Sequence, residues 1–425
     1  MADIVVVGTG YVGLTTGAFL AHVGHQVTCA DLDPRKVEVL SSGEIPIVEP
    51  GLDDLVREGI EGGRLRFVLG AAAAVEASAP EFVFLCVQTP QGDDGSADLT
   101  FVKVAAGEIS PVLGSQSVVI NKSTVPVGST LVVERALCRS DVSVVSNPEF
   151  LREGSAVHDC FHPDRIVIGA EDHAAANRVA GLYEQIKAPL LITDPASAET
   201  IKYASNAFLA TKISFVNAIA NVCEAVGADV REVVLGMGYD KRIGFEFLRP
   251  GPGFGGSCFP KDTRALVRIA EESGYDFGLL KGVITVNEEQ KDRIVAKVAA
   301  AVGGSLEGVT VAAWGLTFKA RTDDRRDSPS LDVISRLTSA GAKVQAYDPT
   351  VTRPLEGMEV CGDAYAACQD AQVLVVLTEW DEFRWVDFGK CRSAMTGALL
   401  VDARNLLDPA SVRRQGFTYV GVGRA

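Results

Sequence analysis

The sequence predicts an α/β protein made of two Rossmann-like, doubly wound parallel-sheet domains joined by a long central helix. Three observations carry this. First, residues 4–7 form a β-branched run ending at Gly8. A helical pattern then runs through Leu14, Ala18, Leu20 and Val23 to a stop at Gly24, and residues 27–30 form a second strand closed by Asp31. That is a strand–helix–strand unit of about 30 residues. Second, Ile201, Ala204, Phe208, Ile213, Val216, Ile219, Val222 and Val226 recur near the helical period with no Gly or Pro between them, which predicts one long helix over 198–227. Third, the opening theme returns after Gly303-Gly304. A strand at 309–313 ends at Gly315, a helix pattern runs through Leu331, Val333, Ile334 and Leu337 to Gly341, and a strand at 344–347 leads to Asp348-Pro349.

Other strand candidates lie at 82–87, 118–121 and 142–145, with helical stretches between them. Strands alternating with helices predict a parallel sheet covered on both faces. In the later half, 373–377 parallels 82–87 and 399–402 parallels 118–121. The expected boundaries are 1–196, 197–302 and 303–425. The long helix is expected to connect domains and to offer a dimer surface, although a plain core helix has the same pattern.

Composition narrows the function classes. The 425 residues are 47% hydrophobic and 22% charged, with a net charge of −15. That acidity argues against nucleic acid or an anionic membrane as partner, and no uninterrupted apolar run approaches the ~20 residues of a membrane span. Nine cysteines, at 29, 86, 138, 160, 223, 258, 361, 368 and 391, form no C-x-x-C, and there are five histidines. A metal site and a disulfide framework are poorly supported, and reduced thiols are the better reading. Met1-Ala2-Asp3-Ile4 leads directly into a strand without a basic-then-apolar leader, so the expected location is cytoplasmic.

Gly8-Thr9-Gly10-Tyr11-Val12-Gly13 lies between a strand and a helix. Gly8 suits the tight turn, Gly10 lets a pyrophosphate approach the backbone, and Gly13 lets helix and strand pack closely. Asp31 ends the second strand, where a carboxylate accepts from a ribose 2′-OH and repels a 2′-phosphate. NAD is therefore read over NADP. The later half lacks this fingerprint and is expected to hold another ligand.

Cys258 lies in Gly253-Phe254-Gly255-Gly256-Ser257-Cys258-Phe259-Pro260-Lys261-Asp262. Most free cysteines are small buried hydrophobes. This one follows glycines at 251, 253, 255 and 256, and Pro260 places a helix start just after it. A helix N-terminus and a neighbouring Lys both favour a thiolate. Asp262 is a candidate base for water, though a first-turn carboxylate is also ordinary helix chemistry. Lys202 and Asn206 share one face of the long helix at i, i+4. From spacing alone Lys202 reads as a solvated lysine.

Several longer motifs stand in order along the chain: 8–13, Lys122-Ser123-Thr124-Val125-Pro126, Asn147-Pro148-Glu149-Phe150-Leu151-Arg152-Glu153-Gly154, Lys202 with Asn206, the Cys258 loop, Gly315-Leu316-Thr317-Phe318-Lys319 and Thr378-Glu379-Trp380. In these the chain resembles the UDP-glucose/GDP-mannose dehydrogenase family over nearly its whole length. His162 to Gly169 and the lead-in Arg249-Pro250-Gly251-Pro252 favour the UDP-glucose branch.

The resemblance implies a dinucleotide domain, a dimerising central helix and a C-terminal UDP-sugar domain. It implies oxidation of UDP-glucose by two NAD and water to UDP-glucuronate, with a homodimer or higher homo-oligomer formed through the central helix. Cys258 would be the nucleophile, with Lys202, Asn206, Asp262, Thr124 and Glu149 handling protons, oxyanion and water. Gly8, Gly10, Val12, Gly13, Asp31, Lys36, Thr89, Thr124, Glu153, Lys261 and Arg326 would face NAD. Glu149, Phe150, Leu151, Arg152, Lys202 and Asn206 would meet the nucleotide sugar, together with Phe247, Leu248, Arg249, Pro250, Gly251, Gly255, Phe318, Lys319 and Arg404. Arg242 would reach a neighbouring subunit's site. The same four-electron chemistry on GDP-mannose or a UDP-N-acetylhexosamine is the nearest alternative. A one-step 3-hydroxyacid dehydrogenase and a ligand-binding regulatory protein are the others.

Overall fold

The computed structural model describes residues 1–92 and 97–424. The chain forms two compact units: Met1–Ser205 with Arg264–Ser273, and Asn206–Thr263 with Gly274–Ala425.

The first unit is built on eight strands: β1 (Asp3–Val7), β2 (Gln26–Asp31), β3 (Leu65–Leu69), β4 (Phe82–Leu85), β5 (Val118–Asn121), β6 (Ser143–Ser146), β7 (Ile166–Gly169) and β8 (Leu190–Thr193). Their spatial order is β3-β2-β1-β4-β5-β6-β7-β8. The runs VVIN and FVFL are apolar at nearly every position because both faces of a central parallel strand are covered. One face packs Leu14, Phe19 and Leu20 of helix Tyr11–His22 with Leu52 and Val56 of helix Leu52–Glu61. The other packs Val75, Val102, Ile109 and Val133 from three further helices.

The sheet departs from the expected uniformly parallel one at a single junction. β7 meets β6 antiparallel at Gly169–Ser146, and β7 and β8 pair parallel with each other. The chain after β6 stays at that end of the sheet before re-entering as β7. Residues 147–165 therefore lie at the C-terminal edge of β1–β6.

The second unit carries six parallel strands: β9 (Thr310–Trp314), β10 (Lys343–Tyr347), β11 (Glu359–Val360), β12 (Val373–Val376), β13 (Leu399–Asp402) and β14 (Thr418–Gly421), in the order β11-β10-β9-β12-β13-β14. The first six strands of each unit thus follow the dinucleotide-fold order 3-2-1-4-5-6. The relation expected between the halves holds strand for strand, with β12 standing where β4 stands and β13 where β5 stands.

The first turns match as well. Gly8 (φ 95°) and Gly315 (φ 96°) follow β1 and β9, and each donates its N–H at 2.8 Å to the chain ending the neighbouring strand, at Ala30 and Tyr347. A Cβ on Gly8 would lie 2.7 Å from the Cys86 carbonyl oxygen, and on Gly315 2.6 Å from the Thr378 nitrogen, so only glycine fits either turn. The acids after the second strands differ. Asp31 is partly open, whereas Asp348 is 1% exposed. Asp348 Oδ2 accepts from the amides of Leu316 and Thr317, the Thr317 hydroxyl and Trp380 Nε1, and its Oδ1 accepts from the amide and hydroxyl of Thr350.

The predicted long helix spans Pro195–Val226. Among the described residues it is also the one helix long and apolar enough, by length and composition, to cross a membrane. Averaging over its polar positions gives it that property, although no uninterrupted apolar run does. In the second unit, helices Gly278–Ala301 and Pro329–Ser339 are laced by ion pairs. Arg336 reaches Asp332, Asp292 and Glu288, and Lys291 reaches Asp332 and Glu288.

Candidate active site

The fingerprint occupies the turn between β1 and helix Tyr11–His22. A Cβ on Gly13 would lie 1.9 Å from the Gly8 carbonyl oxygen, whereas one on Gly10 would meet nothing within 4 Å. Gly13 is thus small for packing, and Gly10 keeps the helix N-terminus open to a ligand. Gly10, at the N-cap, has no side chain to cap the first amides, and Val12 sits in the first turn. This cradle fits a dinucleotide pyrophosphate.

Asp31 accepts from the Thr9 amide (3.0 Å), the Thr9 hydroxyl, Lys36 Nζ (3.1 Å) and the Asp33 amide (3.1 Å). Burial raises its pKa, but these donors outweigh it and hold the carboxyl down at about 2. It is therefore an ionised acceptor at neutral pH, suited to a ribose hydroxyl and hostile to a 2′-phosphate. Thr89 and Thr124 follow β4 and β5, and the Thr89 hydroxyl donates to the Thr124 carbonyl at 2.8 Å.

After β6 come Glu149, Phe150, Leu151, Arg152 and Glu153. Lys202 is 3% exposed, not the solvated lysine its spacing suggested. Its Nζ lies 2.8 Å from Glu149 Oε1 and 5.4 Å from the centre of the Phe150 ring, with Arg165 on that ring at 3.7 Å. Glu149 Oε2 accepts from the Leu151 amide at 2.6 Å. Such a buried pair is retained only with good geometry, and here each Glu149 oxygen has its own donor, Lys202 on one and the Leu151 amide on the other. Arg152 is forked onto Asp159.

The second unit assembles the other half of the predicted chemistry. Helix Phe259–Glu272 begins immediately after Cys258, and the Asp262 amide donates to the Cys258 carbonyl at 2.8 Å. The Cys258 sulfur stands 3.5 Å from the Ser257 hydroxyl. Asp262 is fully buried, with Asn206 Nδ2 at 2.6 Å on one oxygen and Lys261 Nζ at 2.8 Å on the other.

The glycine loop is held from below by side chains that the sequence did not single out. Asn217 accepts from the Gly251 amide, Gln290 donates to the Gly251 carbonyl, and Asn287 bonds both the amide and the carbonyl of Phe254. Gly255 packs against the Asp327 carbonyl, and the Gly256 amide donates to Arg326.

Of the predicted sugar-nucleotide residues, the structure brings together Gly251, Phe318 and Arg404. Arg404 donates to the carbonyls of Phe318 (2.9 Å) and Leu377 (2.8 Å), and its guanidinium lies 3.3 Å from where a Gly251 side chain would begin. Lys319 stands over the Phe318 ring at 5.3 Å. Leu248 is buried beside Phe247 and Pro250 in the lead-in to the loop. Arg249, Arg242 and Arg326 point outward: Arg242 is 89% exposed and forked onto Asp240, and Arg326 is forked onto Asp324.

Two buried glutamates were also missed. Glu199 accepts from the amides of Gly128 and Thr130, clamping the turn that follows Thr124. Glu49 accepts from Tyr11 and from the amides of Gly154 and Ala156. A lone glutamate in a connector or on a long helix has no local signature. Its role is set by donors up to 107 residues away.

A glycine cradle for a dinucleotide with an ionised acid after its second strand, and a thiol at a helix start in a braced glycine loop, define the class as an NAD-dependent oxidoreductase. Comparison with known proteins narrows this class. Residues 2–187, 196–289 and 312–409 match the NAD-binding, central and UDP-binding domains of the UDP-glucose/GDP-mannose dehydrogenase family. The chain is 46% identical to the UDP-glucose 6-dehydrogenase of Rhizobium meliloti (strain 1021), covering 99% of each. It is 45% identical to one from Bacillus subtilis (strain 168), covering 100% of this chain and 94% of that one. The solved UDP-glucose dehydrogenase of Pyrobaculum islandicum superposes with a TM-score of 0.92 at 38% identity, covering 100% of this chain and 98% of that one. The chain belongs to the UDP-glucose/GDP-mannose dehydrogenase family.

Proposed function

We propose that the chain oxidises C6 of UDP-glucose to the carboxylate of UDP-glucuronate in two NAD-dependent steps, with Cys258 holding the carbon between them. The observation that carries the reading is the fully buried Asp262, fixed by Asn206 and Lys261 one helical turn beyond a thiol at the mouth of a glycine loop. NAD supplies the hydride acceptor at each step. The first oxidation leaves an aldehyde. The Cys258 sulfur forms a bond to its carbon, and the oxygen takes the developing negative charge. Lys202 and Asn206, one turn apart on the same helix, are the donors assigned to that oxygen. Loss of the second hydride leaves a thioester. Water, with its proton drawn by Asp262 directly or through Thr124, breaks the carbon–sulfur bond and returns the thiol. Glu149 orients Lys202.

The three-domain partition at 1–196, 197–302 and 303–425 follows the same assignment. Lys36, Thr89, Glu153, Lys261 and Arg326 are assigned to NAD, and the 247–251 lead-in, Gly255, Phe318, Lys319 and Arg404 to the UDP-sugar. Arg and Lys suit a diphosphate in an otherwise acidic chain.

A homodimer through the long helix is part of the reading. Phe208, Phe215 and Val222 are exposed at seven-residue spacing, followed by exposed Val226, and such an apolar stripe calls for a partner. Arg242, exposed and pre-shaped by Asp240, would serve the neighbouring subunit. The need for a reduced Cys258 favours a cytoplasmic setting.

The test is stoichiometry. With NAD and a panel of UDP- and GDP-sugars, two NADH per UDP-glucose are expected, and Cys258→Ala should bind NAD yet form no acid. One NADH per substrate, or acid at wild-type rate from the variant, overturns the covalent route.

A further inference from the structure

Glu49 lies in the connector between helices Pro34–Ser41 and Leu52–Glu61, outside every motif that carries the chemistry. It is 4% exposed, and two segments distant in sequence meet on it. Its Oε2 accepts from the Tyr11 hydroxyl at 2.8 Å and the Gly154 amide at 2.6 Å, and its Oε1 accepts from the Ala156 amide at 2.8 Å. Tyr11 is the first residue of the fingerprint helix. Gly154, in the left-handed region at φ 77°, directly follows Glu153. The two segments that Glu49 joins therefore both carry residues assigned to the dinucleotide, Gly10 and Val12 beside Tyr11 and Glu153 before Gly154. A buried carboxylate taking three donors resists displacement, because any donor left behind is desolvated and unsatisfied.

We propose that Glu49 is a positioning residue for NAD, clipping the first turn of the fingerprint helix and the 149–156 loop into one rigid wall of the cofactor site. The proposal rests on the assignment of that site to NAD. Glu49 touches neither cofactor nor substrate. It acts through Tyr11 on the helix start that faces the pyrophosphate, and through Gly154 and Ala156 on the loop that presents Glu153. A site left loose by about 1 Å loses much of its affinity.

Glu49→Gln is the incisive variant, because it keeps the volume and breaks the pattern. The new amide nitrogen must face the N–H of Gly154 or of Ala156, so a donor opposes a donor. Tyr11→Phe removes only the hydroxyl arm and leaves both amide bonds, so it tests the clip even if Glu49→Gln fails to fold. Arg336→Ala, which cuts the ion-pair network of the second unit, is the control for general destabilisation. NAD affinity is measured by fluorescence titration without sugar, well below each variant's melting temperature. Glu49→Gln is expected to weaken NAD binding about tenfold or more, and Tyr11→Phe about threefold. The double variant should bind no more weakly than Glu49→Gln, since the hydroxyl acts through the carboxylate. Arg336→Ala should bind as wild type. If Glu49→Gln or, should it not fold, Tyr11→Phe binds NAD like wild type while its melting temperature falls, Glu49 is merely structural and the proposal fails. Absence of NAD binding in the wild type would instead overturn the cofactor assignment.

Discussion

Replacing Asp31 by Asn should cost stability and cofactor selectivity together, and the stability part has a computable pH signature. The carboxyl moves from its ordinary 3.8 to about 2 in the folded chain because the Thr9 and Asp33 donors and Lys36 outweigh burial. At about 1.4 kcal/mol per pH unit, that gap is worth about 2 kcal/mol. The side chain is 16% exposed, so solvent screening removes little of it. A depressed carboxyl contributes in full above its unfolded value and loses the contribution as pH falls through the folded one. The offset between wild type and Asp31→Asn should therefore be complete at pH 7, about half at pH 3 and nearly gone near pH 2. For a unit of this size it corresponds to a melting-temperature difference of about 4–8 °C at pH 7. In parallel, the ratio of kcat/KM for NAD over NADP should fall about tenfold or more, since the variant neither accepts strongly from the 2′-OH nor repels a 2′-phosphate. Thermal melts from pH 8 to 3, with steady-state rates for both cofactors at pH 7, test this. An offset equal at pH 7 and pH 3, or an unchanged cofactor ratio, refutes the argument.

Asp262→Asn keeps the shape but removes the base proposed for the water step and leaves Lys261 without its anion. Rapid mixing should show NADH released in an initial burst and then slow turnover, kcat falling about 100-fold or more; full steady-state turnover would clear Asp262 of the water step. Gly255→Ala would place a Cβ 2.1 Å from the Asp327 carbonyl oxygen and 2.6 Å from Pro329 Cδ. The loop must move, at a cost of about 1–3 kcal/mol by denaturant titration, with activity falling further than stability; an active, unshifted variant contradicts the packing. Phe215→Glu, mid-stripe on the long helix, should reduce the proposed homodimer to a monomer by light scattering, and a mass equal to that of the wild type would move the interface elsewhere.

The central strands were legible because strands covered on both faces admit little but apolar residues. Strands β5 and β13 fall on the residues read from the sequence, and β1, β4 and β12 fall within two residues of them. β3 was not, because Arg66 sits in it and its exposure is mixed, as on an edge. β7 lies within the 162–169 motif but its reversed direction is a property of pairing, which no local pattern encodes. At the site, residues next to glycine turns or strand ends could be picked out because turn chemistry marks them. Lys202 was misjudged from spacing because Glu149, its partner, is 53 residues away. Asn217, Asn287 and Gln290 were invisible for the same reason: each looks like an ordinary polar position on a helix until the glycine loop is laid across it.

Asp348 marks where the two halves part company. The later half has the glycine turn and the acid after its second strand, but that acid is bonded to its own chain, with Trp380 and Thr350 among its donors. A nucleotide sugar placed there meets an acid whose two oxygens are already taken by donors of this chain. Grafting a full glycine fingerprint onto 315–320 would therefore not by itself make a second NAD domain. The plug at Trp380 and Thr350 would have to be pulled first.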